Sequence, residues 1–136
     1  MKNLLVIFIF LIGSAFTNPE PPAINDLITE DLPFLLEFYK TRHQNPEISL
    51  REENTSKALA SELRNVGYEV TENFGGYGVV GMLKNGEGPM ILVRTDMDAL
   101  PMAEKTGLHY ASEVEIEYNG QTTGAMHSCG HDMHMT

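Results

Sequence analysis

The segment MILVRTDMDALP, residues 90–101, decides the fold class that this sequence predicts. Residues 90–93 are wholly apolar and directly precede Arg94, as expected of a short strand that is covered on both faces. Asp96 and Asp98 follow at the carboxyl end of that strand, where open α/β sheets place their functional sites. Two interpretations of the paired carboxylates stay open: a cation site, or a solvated loop that leaves the strand.

A long helix is predicted before this strand. Apolar residues recur at helical spacing over residues 24–39. Pro33 interrupts the pattern, so we expect either a kink there or a helix that begins near Asp31. The run RHQNP, residues 42–46, is expected to end the helix.

A second helix and two strands complete the predicted elements on the amino-terminal side. Residues 49–52 (SLRE) have the spacing of a capping box, and Gly67 stands where a helix would end in a left-handed residue. Strands are predicted over 68–71 and 78–83, and Asn85-Gly86 predicts a hairpin turn. Helices mixed with strands in this order predict an α/β layer arrangement.

Length and charge exclude several classes of function. A chain of 136 residues makes one domain at most, and 19 acidic against nine basic residues give a net charge of −10. This field would repel nucleic acids and anionic membrane surfaces, so neither is expected as a partner.

The amino terminus has the pattern of an export signal. A basic start at Lys2 precedes nine consecutive apolar residues, 4–12, and small residues follow at 13–15. Nine residues fall short of the roughly 20 that span a bilayer, although a core helix or an uncleaved anchor remains the alternative. We therefore predict a signal peptide over 1–15, an extended leader over 16–23 and the folded domain over 24–136, in an exported protein that leaves the membrane once the signal is removed.

Soft metal ligands cluster near residue 130. The segment GAMHSCGHDMH, residues 124–134, contains three of the five histidines and the only cysteine, so an internal disulfide is excluded. Cys129 and His131 together offer a thiolate and an imidazole, which are good ligands for zinc and related metals. A Cys-His nucleophilic pair is the rival interpretation. His127 and His134 are interpreted as surface residues or as residues that contact the ligands.

Taken together, these segments resemble the metal-dependent amidohydrolase family, which includes hippurate hydrolases, indoleacetyl-amino-acid hydrolases and N-acetyldiaminopimelate deacetylases and is related to aminoacylases and zinc carboxypeptidases. The resemblance is carried by the four segments RHQNPEISLREENTSKALASELRNVGYEV, GYGVV, RTDMDALPMAEKTGLHYAS and GAMHSCGHDMH. It implies an α/β fold: the amino-terminal part of a mixed-sheet, zinc-peptidase-like catalytic domain, truncated before the lid or dimerisation domain.

The resemblance also implies roles for particular residues. Cys129 and His131 match residues that bind two divalent metal ions, zinc or manganese, and Asp98 matches an aspartate that orients or polarises the metal cluster. Asp96 stands where distant relatives have a metal-binding histidine, which makes it a further candidate ligand. Asp132, together with His127 and His134, is expected to surround the ligands rather than bind metal. The general-base glutamate and the remaining ligands normally follow later and are absent from these 136 residues.

The predicted function is metal-dependent hydrolysis of the amide bond of N-acyl amino acids, with a homodimer as one form of the full-length protein. We expect the 136-residue chain alone to be inactive and to leave the 90–94 strand partly uncovered. The alternatives are a metal-binding module without turnover, a dipeptidase or carboxypeptidase of the same superfamily, and a structural fragment that folds only with a partner.

Overall fold

The computed structural model describes residues 23–136, in which two helices are followed by two short antiparallel hairpins and a final helical turn. The predicted signal peptide, 1–15, and the leader up to residue 22 lie outside the described residues. The elements in chain order are α1 (Ile24–Gln44), α2 (Glu53–Asn65), β1 (Glu69–Phe74), β2 (Gly78–Met82), β3 (Glu115–Tyr118), β4 (Gln121–Gly124) and α3 (His131–His134).

Helix α1 begins at Ile24 and runs through Pro33, so of the two alternatives for this proline the start near Asp31 is wrong. Its first turn is closed because the amides of residues 26 and 27 donate to the Ala23 carbonyl at 2.9 and 3.3 Å. The helix ends at Gln44, inside the run that was predicted to end it. The basic side chains of residues 42 and 43 therefore lie in its last turn, at the negative end of the helix dipole.

The amino terminus of α2 is capped by a residue that the sequence did not single out. The predicted capping box is wrong: the helix has no side-chain cap from its own N-cap residue, Glu52. Instead Glu47 accepts hydrogen bonds from the amides of Asn54 (3.1 Å) and Thr55 (2.7 Å). Burial alone would raise the pKa of Glu47, but these hydrogen bonds outweigh it and hold that pKa below its usual value. At the other end Gly67 has a φ of 89°, as predicted.

Two antiparallel hairpins follow α2, and only the first was predicted. Strands β1 and β2 pair from Glu69 opposite Met82, and the hairpin packs on α2. The second hairpin, β3–β4, turns at Asn119 and Gly120, whose φ angles of 52° and 76° are those of a type I′ turn. The Asn-Gly signal for it was present in the sequence. The hairpin predicted at Asn85-Gly86 is wrong, since no strand follows that pair before residue 99.

The predicted strand over 90–94 is not formed in this chain. Within residues 23–136 no strand pairs with this segment, and residues 90–93 are 83–87% exposed. A strand needs a partner for its backbone N–H and C=O groups, and apolar composition alone does not supply one. The exposure agrees with the expectation that this segment is left uncovered in the chain alone.

Two isolated β-bridges connect the residues after that segment to distant parts of the chain. Ile48 lies parallel to Ala99, and Leu100 lies antiparallel to Met126 with hydrogen bonds of 3.0 and 3.1 Å between their backbones. Ile48, Ala99 and Ala125 are almost fully buried along this crossing. Asp98 is thereby held next to the segment that contains the histidines. Among residues 23–136, no helix combines the length and the apolarity needed to cross a membrane.

Candidate metal centre

His131 is held by Asp98, which lies 33 residues earlier in the chain. Its Nδ1 donates to the Asp98 backbone carbonyl at 2.8 Å and to the carboxylate Oδ1 at 3.0 Å. Fixing the proton on Nδ1 leaves the lone pair of Nε2 for a metal ion, and no hydrogen bond in the described part of the chain engages Nε2. A carboxylate that orients a histidine in this way is typical of zinc sites.

Cys129 places a thiol two residues before that histidine. The thiol is exposed, and Gly130 between them has a φ of 76°, a left-handed conformation that suits glycine and starts α3 at His131. A thiolate beside an imidazole is a donor set for zinc and related metals. In residues 23–136 no three His, Cys, Asp or Glu side chains are grouped closely enough to hold a metal ion. Cys129 and His131 are thus two soft donors close together in sequence, and Asp98 orients one of them.

The two predicted carboxylates occupy different environments. Asp98 contacts His131, whereas Asp96 forms an ion pair with Arg94 at 2.5 Å. Both line a shallow cleft together with Glu52 and Tyr77. The observed partner of Asp96 is thus Arg94, which lies two residues earlier in the same segment.

His127 and His134 differ sharply in exposure. His127 is 5% exposed, and neither of its ring nitrogens has a hydrogen-bond partner in the described part of the chain. Burial lowers the pKa of His127, so the ring is neutral at physiological pH. His134 is exposed and stacks on His131 with ring centroids 5.4 Å apart. The exposed His134 thus contacts the candidate ligand His131, whereas His127 lies in the protein interior.

A buried triad lies beside this pair, and the sequence did not reveal it. His43 of α1 contacts Asp132 Oδ2 through Nδ1 (2.6 Å) and Glu104 Oε1 through Nε2 (3.1 Å). Burial alone would lower the pKa of His43, but hydrogen bonds to Asp132 and Glu104 outweigh it and raise that pKa above its usual value. His43 and Glu104 were both within the segments that carried the family resemblance. No local pattern signals partners that lie 89 and 61 residues apart.

The side chain of Glu104 is fully buried, and its carboxylate oxygens have hydrogen-bond partners. It accepts hydrogen bonds from the Ser112 amide (2.7 Å) and from the Thr106 hydroxyl. Burial would raise the pKa of Glu104, but bonds from Thr106, Ser112 and His43 lower it. These shifts favour the ionised form of Glu104 and the protonated form of His43.

Comparison with known proteins places the chain among hydrolases. It is 46% identical over 115 residues to hippurate hydrolase of Campylobacter jejuni, a match that covers 82% of this chain and 28% of that enzyme. It is 34% identical to an IAA-amino acid hydrolase of Arabidopsis thaliana, covering 99% of this chain and 32% of the enzyme. The chain thus spans about a third or less of the length of these relatives.

A solved structure supports the same placement. A dinuclear metal-binding peptidase of the M20 family from Bacillus subtilis matches with a TM-score of 0.64 and 32% identity, covering 83% of this chain and 29% of that one. No family model matches the chain.

The fold corresponds to part of the α/β catalytic domain of M20-family structures. Over the matched residues, the chain belongs to the metal-dependent amidohydrolase family, as the motifs predicted.

Proposed function

We propose that this chain contributes to an enzyme that hydrolyses the amide bond of N-acyl amino acids with the aid of two divalent metal ions. The observation that carries the proposal is the His131 ring, oriented by Asp98 and two residues after Cys129 in the sequence. The similarity to a hippurate hydrolase and to an IAA-amino acid hydrolase supports the substrate class. The dinuclear centre named for the Bacillus subtilis peptidase supports the number of metal ions.

The side chains present fit a transition-metal site. Cys129 and His131 would hold the metal, and zinc or manganese bound there would acidify a water molecule and polarise the amide carbonyl. Asp98 keeps the proton of His131 on Nδ1, so that Nε2 is free to bind. Asp96 forms an ion pair with Arg94, and we infer that it contributes charge to the cleft and does not bind the metal.

Other residues must complete the catalytic set. A catalytic metal takes about three protein ligands, and the described residues offer two. We propose that the remaining ligands and the general-base glutamate are supplied by residues outside these 136, in the portion of the relatives that the chain does not cover. "Full-length protein" denotes the chain with that portion. Its assembly as a homodimer stays a prediction.

The proposed function is tested by substrate preference. The full-length protein is assayed on hippurate, several N-acetyl amino acids and a set of dipeptides under identical metal conditions. Preferential hydrolysis of the N-acyl amino acids supports the proposal. Preference for peptides with a free amino terminus would favour a peptidase, as named for the Bacillus subtilis structure. Metal binding without turnover of any substrate would favour a binding module.

Replacing Asp98 should reduce turnover far more than replacing Asp96. Asp98→Ala removes the acceptor that orients His131, and loss of such a partner typically costs about 10–100-fold in metal affinity or activity. Asp96→Ala, the matched control, removes a carboxylate whose contact is with Arg94 and should have a milder effect. Turnover and metal content are measured on the same samples. Equal, near-complete loss of metal in both variants would show that the two carboxylates were ranked wrongly.

We further propose that the protein is exported and loses residues 1–15. The proposal is supported by Lys2, the apolar run 4–12 and the small residues that follow it. Exported protein is then expected to begin near Phe16 or Asn18. Mass spectrometry of the exported protein measures this directly, and an intact Met1 terminus would contradict it.

A further inference from the structure

The four-residue helix α3 is too short to be stable without tertiary contacts. Isolated helices shorter than about 12 residues are marginal in water, so a single turn depends on tertiary contacts. Two adjacent residues of α3 supply such contacts in different directions: His131 bonds to Asp98, and Asp132 bonds to His43 of α1. Adjacent residues on a helix point about 100° apart. The pair of contacts therefore fixes the rotation of the turn as well as its place.

The contact between His43 and Asp132 is the more buried of the two. The side chains of His43 and Asp132 are 8% and 3% exposed, whereas those of His131 and Asp98 are 18% and 29% exposed. At 2.6 Å it is a short, charge-assisted hydrogen bond in a largely water-free environment. A bond of this kind tolerates little displacement of either partner.

The His43 ring is itself immobilised from three sides. Glu104 holds Nε2 at 3.1 Å, and Tyr110 packs edge-on against the ring at 5.3 Å between centroids. Tyr39, one turn earlier on α1, lies at 5.7 Å. The ring thus presents Nδ1 to α3 from a fixed position on a 21-residue helix.

We propose that His43 is a positioning residue for the metal centre: it anchors Asp132, and through the rotation of α3 it aims the neighbouring His131 ring at the metal. The inference rests on the proposed metal-binding role of His131. His43 itself touches neither metal nor substrate in this account. Its effect on metal binding passes through one hydrogen bond and one turn of helix.

A purely structural ion pair is the competing explanation, and metal affinity separates the two. Loss of a purely structural pair lowers the thermal stability of the metal-free protein and leaves the metal affinity of the folded protein unchanged. Loss of a positioning residue lowers that affinity, typically by about 10–100-fold for groups that orient a ligand.

The test uses the full-length protein and its variant His43→Gln, with His109→Gln as matched control. His109 is an exposed histidine that lacks carboxylate partners in the described part of the chain. Zinc affinity is measured by competition with a chromophoric chelator at a temperature where circular dichroism shows each protein folded. We expect His43→Gln to weaken zinc binding about tenfold or more and His109→Gln to leave it unchanged. Equal affinity in wild type and His43→Gln would overturn the inference.

A second variant keeps the test decisive if His43→Gln does not fold. Asp132→Asn retains the size of the side chain and an acceptor oxygen but loses the charge that holds His43. Weaker zinc binding by the folded Asp132→Asn protein supports the inference, and unchanged binding overturns it.

Cobalt titration of the wild type distinguishes two failures. One is failure of the proposed metal site, and the other is failure of the positioning role of His43. Absence of a thiolate-to-cobalt charge-transfer band in the wild type would overturn the proposed metal site and this inference with it. A normal band combined with unchanged affinity in His43→Gln would overturn the positioning role alone.

Discussion

Substitution of Cys129 by serine in the full-length protein is expected to deplete bound metal and abolish hydrolysis of N-acyl amino acids. A serine hydroxyl is a far poorer ligand for zinc-like metals than a thiolate, and it does not ionise at neutral pH. Cys129 is also the only cysteine among these 136 residues, so no other thiol within them can replace it. Metal content and turnover are measured on the same preparations.

The neighbouring Ser128 provides the matched control for this variant. Ser128→Ala changes an exposed hydroxyl in the same loop and should leave metal content and turnover near those of the wild type. Full metal content with undiminished turnover in Cys129→Ser would remove the thiolate from the site. Full metal content with lost turnover would instead favour the interpretation of Cys129 as a nucleophile.

The 136-residue chain by itself is expected to bind metal weakly and to hydrolyse none of these substrates. Its described part contains Cys129 two residues before His131 but no group of three or more candidate ligands. The general base, which typically contributes about 10²–10⁴-fold in rate, is proposed to lie elsewhere. The exposed apolar residues 90–93 should also make the isolated chain poorly soluble.

Activity of the isolated chain and of the full-length protein is compared at equal concentration and equal metal. Turnover confined to the full-length protein is the expected result. Metal-dependent turnover by the 136 residues alone would show that the argument from missing ligands is wrong.

The sequence predicted those parts of the fold that depend on local chemistry. The end of α1, the left-handed Gly67 and the β1–β2 hairpin follow from short patterns and were placed correctly. The capping box failed because α2 begins beyond it, at Glu53, and its first amides are capped by Glu47 instead. The strand over 90–94 failed because a strand is made by its neighbours, and no described residue pairs with it.

The same division holds at the site. Residue types and the Cys-x-His spacing indicated Cys129 and His131, and the family resemblance singled out Asp98, which the structure places against His131. The roles of these residues as ligands and as orienting group stay predictions. His43 and Glu104 could not be predicted, because a histidine in the last turn of a helix has no local signature of two buried carboxylates. Long-range pairing of polar groups is set by packing, which the spacing of residues along the chain does not encode.

The proposal that two metal ions drive amide hydrolysis is tested most directly by the dependence of turnover on metal. The full-length protein is stripped with a chelator, assayed on hippurate and N-acetyl amino acids, and assayed again after stepwise addition of zinc or manganese. We expect turnover to be lost on stripping and to recover on addition of metal, with saturation near two metal ions per chain. Turnover that persists in protein shown to be free of metal would contradict the proposal.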